Sequence, residues 1–399
     1  MTEYISTADT TLDPKQQNRD RILALFFENQ ALSKPQIADT LGLSIPTVNA
    51  HMKDLEGQGL IGKGELMNSS DGRPAVSYSL IPDSRLAIGV EVRKTVINIC
   101  LVDLRGKIVK LKNEHTPYVD EADYCVRLGR ILDSFIKKCG YPKSSILGIG
   151  VTLQAAVDRP GRKIIFSGII PTAHFNPLPL SKTLGLPVRL CHDVKADAQA
   201  ELWLNRSINN GIYIALSEHL GGALIKNHRI EHGRYGFAGS FEHMTIGSKG
   251  RICYCGRKDC LETYCSMEAL LEGEDLNDFF RILRSNKSPA HKRRWKNFLT
   301  TLSKGLYQTW LLLERQIILG GEMAYQLLPE DVDTIEKEIL KRCSFTYQDV
   351  ENDQEFVSIA TVLEYAAPIG SALPFLAAEV PERCRPIEAW QELESSRNN

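Results

Sequence analysis

Three cysteines, Cys253, Cys255 and Cys260, fall within eight residues, and His243 precedes the first of them by ten positions. Whatever the chain folds into must gather this segment around one point. Small unpaired thiols rarely crowd this way without a ligand, and in a chain of this size the cluster reads as a metal site and not a disulfide framework. Three thiolates and one imidazole complete a tetrahedral zinc site. The spacing His-x9-Cys-x-Cys-x4-Cys is not that of a zinc finger. Gly256 permits the tight turn that lets Cys255 and Cys260 face one ion. Four protein ligands leave no open position, so the expectation is one structural Zn2+ per chain, held by His243, Cys253, Cys255 and Cys260. Cys265 lies outside the pattern and reads as a core thiol.

A second constraint sits near the N-terminus. Ile22, Leu23, Leu25 and Phe26 form one apolar helical face. After a break, Ser33 caps a short helix with Pro35 in its first turn. Gly42 turns the chain, and Ser44 caps a third helix with Pro46 in its first turn and Val48, Met52 and Leu55 inward. Two strand-like pieces follow around the loop 68–74. Helix, Gly turn, helix and wing is the architecture that lays a recognition helix in a major groove. An ordinary helical hairpin has the same outline, so the outward residues decide. Ser44 and Thr47 can donate to phosphate. Asn49 can make paired hydrogen bonds to adenine, and Ala50 and Lys53 keep the face small or basic. Arg73, in a stiff Gly-Arg-Pro loop, suits a narrow minor groove. Ser44, Pro46, Thr47, Asn49, Lys53 and Arg73 are therefore the expected DNA-contacting set.

Charge argues the other way. Residues 1–82 carry seven Lys/Arg against ten Asp/Glu, a net of −3. A DNA reader usually carries a basic footprint. Backbone N–H groups, hydroxyls and helix N-termini also hold phosphate, so the motif outweighs the charge. No apolar run reaches the roughly 18 residues of a membrane span, and the polar N-terminus is unlike a signal or transit peptide. The expected location is cytoplasmic, with no membrane partner. After Pro82, helix and strand patterns alternate to the end, an α/β pattern long enough for two lobes. No short-period repeat is evident. The expected division is a disordered tail at 1–17, a winged helix-turn-helix at 18–82, a two-lobed domain at 83–390 and a tail at 391–399.

The segment 18–61, with Leu43-Ser-Ile-Pro-Thr-Val48 and then Gly72-Arg-Pro74, resembles the N-terminal domain of the ROK family (repressors, open reading frames and kinases). Cys253-Tyr-Cys255-Gly-Arg-Lys-Asp-Cys260-Leu-Glu262 is similar to that family's metal signature. Residues 86–380 resemble a whole ROK domain, through Gly148-Ile-Gly150, His174-Phe-Asn176-Pro, His192-Asp193 and Ile318-Leu-Gly-Gly321. The resemblance implies an actin/hexokinase-like fold with two lobes and a cleft. It also implies that Asn176, His192, Asp193, Ser240, Glu242 and His243 face a bound sugar. Asp193 stands where family kinases keep their general base. By the same resemblance the metal fixes the loop that presents His243 to the ligand.

The departures from the family pattern bear on function. Kinases of this fold hold ATP phosphates with a Gly-rich turn whose backbone N–H groups need close approach. Here that turn is Glu91-Val-Arg-Lys-Thr95, without glycine. The second phosphate loop is Ser217-Glu-His-Leu-Gly221-Gly222, where Glu218 would repel phosphate. In the sugar half, the family's Gly-Glu-x-Gly-His becomes Gly239-Ser-Phe-Glu-His243, so a carboxylate moves two positions, to Glu242. The expectation is a non-enzyme: a repressor that binds double-stranded operator DNA as a homodimer or dimer of dimers and answers to a sugar or sugar derivative. A sugar kinase with an accessory DNA-binding domain, and a ligand-independent scaffold, are the alternatives.

Overall fold

The computed structural model describes residues 13–67, 74–343, 356–381 and 384. The chain opens with α1 (Pro14–Glu28), β1 (Leu32–Ser33), α2 (Lys34–Leu41), α3 (Ile45–Gly57), β2 (Ile61–Met67) and β3 (Ala75–Leu80). The caps are where the local sequence places them. Ser33 and Gln36 exchange bonds in a capping box at the start of α2, and Gly42 ends that helix with φ +64°. Ser44 Oγ accepts from Thr47 N at 3.3 Å and fixes the first turn of α3. A three-stranded sheet ordered β1-β3-β2 closes the unit. Arg19 ties α1 to the end of α3, reaching Asp54 at 3.3 Å and Gln58 at 2.6 Å.

One boundary needs correction. Residues 14–17 were expected in a disordered tail, yet α1 begins at Pro14. Asp13 accepts from Lys15 N, and Pro14 occupies the first turn, where its missing N–H is no loss. The helix therefore starts at a cap signal, four residues ahead of the expected boundary at residue 18 and eight ahead of Ile22, the first residue of the apolar face.

The first lobe contains β4 (Leu86–Val92), β5 (Ile97–Asp103), β6 (Ile108–Glu114), α4 (Tyr124–Lys138), β7 (Ile146–Leu153), β8 (Ala156–Val157), β9 (Ile164–Phe166), α5 (Leu178–Leu184) and β10 (Val188–His192). Helix α6 (Asp193–Leu204) leads into the second lobe. That lobe contains β11 (Gly211–Leu216), β12 (Leu220–Lys226), β13 (Arg229–Glu231), α7 (Glu262–Cys265), α8 (Met267–Leu271), α9 (Leu276–Arg284), α10 (Pro289–Leu313), β14 (Gln316–Gly320), α11 (Pro329–Leu340) and β15 (Val357–Ile359). Helix α12 (Ala366–Ala377) ends the described fold. Among the described residues no helix is long and apolar enough to cross a membrane.

The two lobes repeat one topology. Their sheets run β6-β5-β4-β7-β10 and β13-β12-β11-β14-β15. In each, an antiparallel three-strand meander continues into two parallel strands. Both faces of such a sheet are covered, which is why β5 and β11 are buried along their whole length and read as continuous apolar runs. Helix α12 packs Ala372, Leu373 and Leu376 on the first sheet, beside Cys100 and Val102. Helix α6 packs Val194, Ala198 and Leu202 on the second, beside Tyr213 and Ala223. These two helices cross between the lobes. The cleft opens at the N-terminal end of α6.

The N-terminal unit is not a bead on a linker. Ile22, Phe26 and Leu80 lie in the same buried cluster as Trp203 and Leu373. Arg105, in the β5–β6 turn, donates to the carbonyls of Phe26 (2.9 Å) and Phe27 (3.3 Å). Those carbonyls belong to the last turn of α1, where cations are favoured.

Candidate functional site

The helix-turn-helix exposes one face. On α3, Ser44, Pro46, Asn49, Ala50 and Lys53 are exposed and Thr47 is half-buried, while Val48, His51, Met52 and Leu55 turn inward. The Ser44 and Thr47 hydroxyls lie 2.8 Å apart at the N-terminus of the helix. Five of the six residues expected to meet DNA thus share one surface. The sixth, Arg73, lies outside the described residues. Sequence reasoning missed His51. It is buried against α1, and burial, with Lys15 and Arg19 nearby, lowers its pKa.

The thiol cluster closes. The donor atoms of His243, Cys253, Cys255 and Cys260 all lie within 4.8 Å of one another. Cys255 Sγ is 3.8 Å from Cys260 Sγ, and Cys253 Sγ is 3.7 Å from His243 Nδ1. A tetrahedron with metal–sulfur bonds of about 2.3 Å has edges of roughly 3.8 Å. The donor set and its spacing therefore fit a four-ligand metal. Gly256 makes the knuckle turn with φ +83°, a conformation that other residues rarely take. Asp259, buried between two ligands, braces the loop. Its carboxylate accepts from Lys249 N (3.0 Å), Gly250 N (2.9 Å) and the Tyr264 hydroxyl (2.5 Å). No spacing rule marked Asp259 in advance.

Between the lobes lies a cavity of about 720 Å³, within the range of small-molecule sites. His192, Asp193, Ser240, Glu242 and His243 all line it. Asn176 does not, and this corrects the expectation. It is exposed, and its Oδ1 accepts from Leu178 N at 3.0 Å, the turn that starts α5. An Asn before a Pro-Leu-Pro run is used here as a local turn-former. His243 joins the two sites, since it belongs to the metal cluster and also to the cavity wall.

The cavity is electrostatically unusual. Asp193 opens α6, and Val194 N donates to its Oδ1 at 2.8 Å. Burial nevertheless pushes its pKa up to about 7, with Glu91 adding to the rise. Burial likewise pushes Glu242 up to about 8 and raises Asp197 well above the carboxylate range. His192, half-buried in the cleft wall, is driven down to about 3 by desolvation, with Lys195 adding to the fall. His219 Nδ1 sits 2.7 Å from Glu262, whose other oxygen accepts from Leu220 N at 2.7 Å. Burial works against the His219 cation, but the Glu262 bond and charge leave its pKa above the usual value. The His219–Glu262 pair was not foreseen, because its members are 43 positions apart.

The glycine-free turn has a use that its sequence did not reveal. Arg93 crosses the cleft to Glu322, and Lys94 crosses to Glu218 at 2.6 Å. Each pair joins a turn of the first lobe to a loop of the second. All four side chains are about a third or more exposed, so each pair contributes only about 0–1 kcal/mol of stability. Their effect is spatial: each pair bridges the two lobes, and Arg93 and Glu322 line the cavity. Glu218 is held by Lys94 and is not a free carboxylate.

A ROK family model matches residues 87–372, and a winged helix-turn-helix DNA-binding model matches residues 17–61. The chain is 27% identical over 267 residues to the xylose repressor of Bacillus subtilis (strain 168), covering 65% of this chain and 68% of that protein. It is 26% identical over 265 residues to the N-acetylglucosamine repressor of Escherichia coli O157:H7, covering 64% of each. Among solved structures, it is similar to a ROK family transcriptional regulator described as a homolog of the E. coli MLC protein. There the TM-score is 0.72 at 20% identity, covering 93% of this chain and 99% of that one. A ROK family glucokinase from Streptomyces griseus, in complex with glucose and AMPPNP, matches with TM-score 0.59 at 21% identity, covering 72% of this chain and 98% of that one. At these identities the structural likenesses speak for the fold.

Proposed function

This chain belongs to the ROK family, and we propose that it is a transcriptional repressor whose interlobe cavity senses a sugar or sugar derivative. It is a DNA-binding regulator and not an enzyme, as are the repressors it is similar to. The observation that carries the reading is the pairing of an exposed recognition face with a cleft whose phosphate turn is replaced by Arg93–Glu322 and Lys94–Glu218. A kinase needs that turn open, whereas a sensor needs only a pocket that differs between two lobe arrangements. Asp193 then serves as a hydrogen-bonding group to a ligand and abstracts no proton.

In this reading Asn49 and Lys53 meet the major groove, with the first turn of α3 on phosphate through Ser44 and Thr47. Arg73 completes the proposed DNA-contacting set. The working form is a homodimer, which places two recognition helices about one DNA turn apart on a near-palindrome. One Zn2+ per chain, on His243, Cys253, Cys255 and Cys260, holds the loop that presents His243 to the cavity. The ion is structural because no ligand position is left open. The helix α6 supports a route from cavity to DNA. Its first residue, Asp193, lines the cavity, and Trp203 near its other end lies in the core shared with α1.

The test is binding to the DNA upstream of the protein's own gene. A regulator binds one segment selectively, with affinity that falls as salt rises. Binding that is equal on unrelated DNA would remove the reading. If Asn49 reads a base, Asn49→Ala costs roughly 1–3 kcal/mol on the preferred site and relaxes selectivity at one position. Fluorescence anisotropy on a set of single-base variants checks this, and unchanged affinity on all of them refutes the role.

A further inference from the structure

We propose that the effector of the interlobe cavity is a disaccharide or longer oligosaccharide, with one ring at the polar end of the cavity and a second ring against Phe166 and Phe237 at its aromatic end. This rests on the reading of the cavity as a sugar-effector site and specifies the length of ligand that it takes.

The aromatic end is built from both lobes. Phe166 closes β9 in the first, and Phe237 follows β13 in the second. Both line the cavity, yet they are 44% and 45% exposed. Ile165 and Tyr235, beside them in the chain, are exposed as well. A Cβ built on Gly236 would stand 3.4 Å from Ile165 Cδ1, and one on Gly168 would stand 3.3 Å from Phe166 Cζ and 2.7 Å from Tyr254 Cδ2. Strand β9, the loop after β13 and the metal loop thus meet at one rim. Tyr254 packs edge-on against His219 and His243, whereas among the described residues Phe166 and Phe237 have no ring partner. Single exposed apolar residues are ordinary, but contiguous ones mark a binding surface. These two are also held in place. Phe166 pairs with Ala156 in the β8–β9 hairpin. Lys195 of α6 donates to the carbonyl of Gly236, next to Phe237, at 2.6 Å.

The two ends together point to the class of occupant. His192, Asp193 and Glu242 line the same cavity and are more buried than the two phenylalanines. A carbohydrate offers hydroxyl edges to such groups and flat C–H faces, which suit the negative face of an aromatic ring. A purely apolar ligand would leave the polar groups unpaired. Size gives the length. The cavity of about 720 Å³ corresponds to roughly twenty-four waters at about 30 Å³ each, and a hexose has only twelve non-hydrogen atoms. One ring at the polar end leaves Phe166 and Phe237 wet, whereas a second ring removes their apolar surface from water.

Calorimetric titration of the full-length, zinc-supplemented protein tests this. The probes are glucose with cellobiose and maltose, xylose with xylobiose, mannose with mannobiose, and N-acetylglucosamine with its β-1,4-linked disaccharide. One disaccharide should bind at least about tenfold more tightly than its own monomer, the scale expected when ring stacking adds to area burial. Phe166→Ala and Phe237→Ala should each remove most of that gain and leave monomer affinity within about twofold. Tyr325→Ala, in the cavity wall beside Glu322, should leave the gain intact. If a monomer binds as tightly as every disaccharide built from it, the extended ligand is wrong and the effector reading stands. A gain that survives both phenylalanine variants, or that is lost in Tyr325→Ala instead, overturns the placement of the second ring. If no sugar of either length binds while operator DNA still does, the sugar-sensing reading falls and this inference with it. The wild-type panel settles the question of length even if a variant does not fold.

Discussion

Cys255→Ser leaves the protein without its metal and lowers the stability of the second lobe by several kcal/mol. The reason is coupling between ligation and folding, which for structural zinc sites is large. The loop from Thr245 to Cys260 belongs to no helix or strand: it is held by two isolated bridges, Thr245 with Cys260 and Ile252 with Lys258, by short turn bonds such as Cys253 N to Arg257 O (2.8 Å), and by the Asp259 bracket. Cys253 and Cys260 are 3% and 0% exposed, so without the ion they remain buried thiols around an empty centre. Helix α7 starts two residues after Cys260, and its Glu262 holds His219 in the cavity wall. Loss of the ion therefore reaches the ligand site as well. Metal analysis with thermal unfolding checks this, at about 2–4 °C for each kcal/mol. A metal-to-protein ratio near one in the variant, with an unchanged transition, contradicts the assignment.

Gly370→Val destabilises the whole two-lobed fold by about 3 kcal/mol or more. A Cβ built on Gly370 would stand 1.7 Å from the Ala196 carbonyl oxygen and 2.5 Å from its carbon. Both contacts are backbone, so no side chain can swing away, and the overpacking must separate α12 from α6. The consequence extends beyond stability. Helix α6 carries Asp193 into the cavity and Trp203 into the core shared with the DNA-reading unit. Spreading the helices moves both ends. Urea unfolding should show a lower midpoint, and operator affinity should fall at temperatures where the protein remains folded. A midpoint equal to wild type would mean that the crossing is looser than the geometry implies.

What could be read from the amino-acid order was local. The caps at Ser33 and Ser44, the turn at Gly42 and the inward stripe Val48–Met52–Leu55 lie within one or two helical turns, so spacing alone carries them. The four donors of the candidate metal cluster sit within 18 residues of one another, and their gathering was legible for the same reason. His192 and Asp193, which line the cavity at the junction of β10 and α6, were expected there from the family resemblance and not from any local pattern. The rest depends on distant partners. Lys94 finds Glu218 at a separation of 124 positions, and Arg93 finds Glu322 at 229. The repeated sheet order of the two lobes left no short-period trace, since strands of like topology need only apolar character, not like residues. The shared core under the N-terminal unit was hidden because Pro82 reads as a boundary whether or not two units pack together. Asn176 misled because a turn-forming side chain and a ligand-binding one have the same composition.

The central claim is that the cleft reads a ligand and transfers no phosphoryl group. Titration of Mg·ATP into the full-length, metal-loaded protein tests it most directly, with and without the sugar that binds best. The account predicts no saturable heat into the millimolar range and no ADP formed, because the Arg93 and Lys94 ion pairs occupy the approach to the turn. Saturable binding accompanied by ADP release that Asp193→Asn abolishes would contradict it.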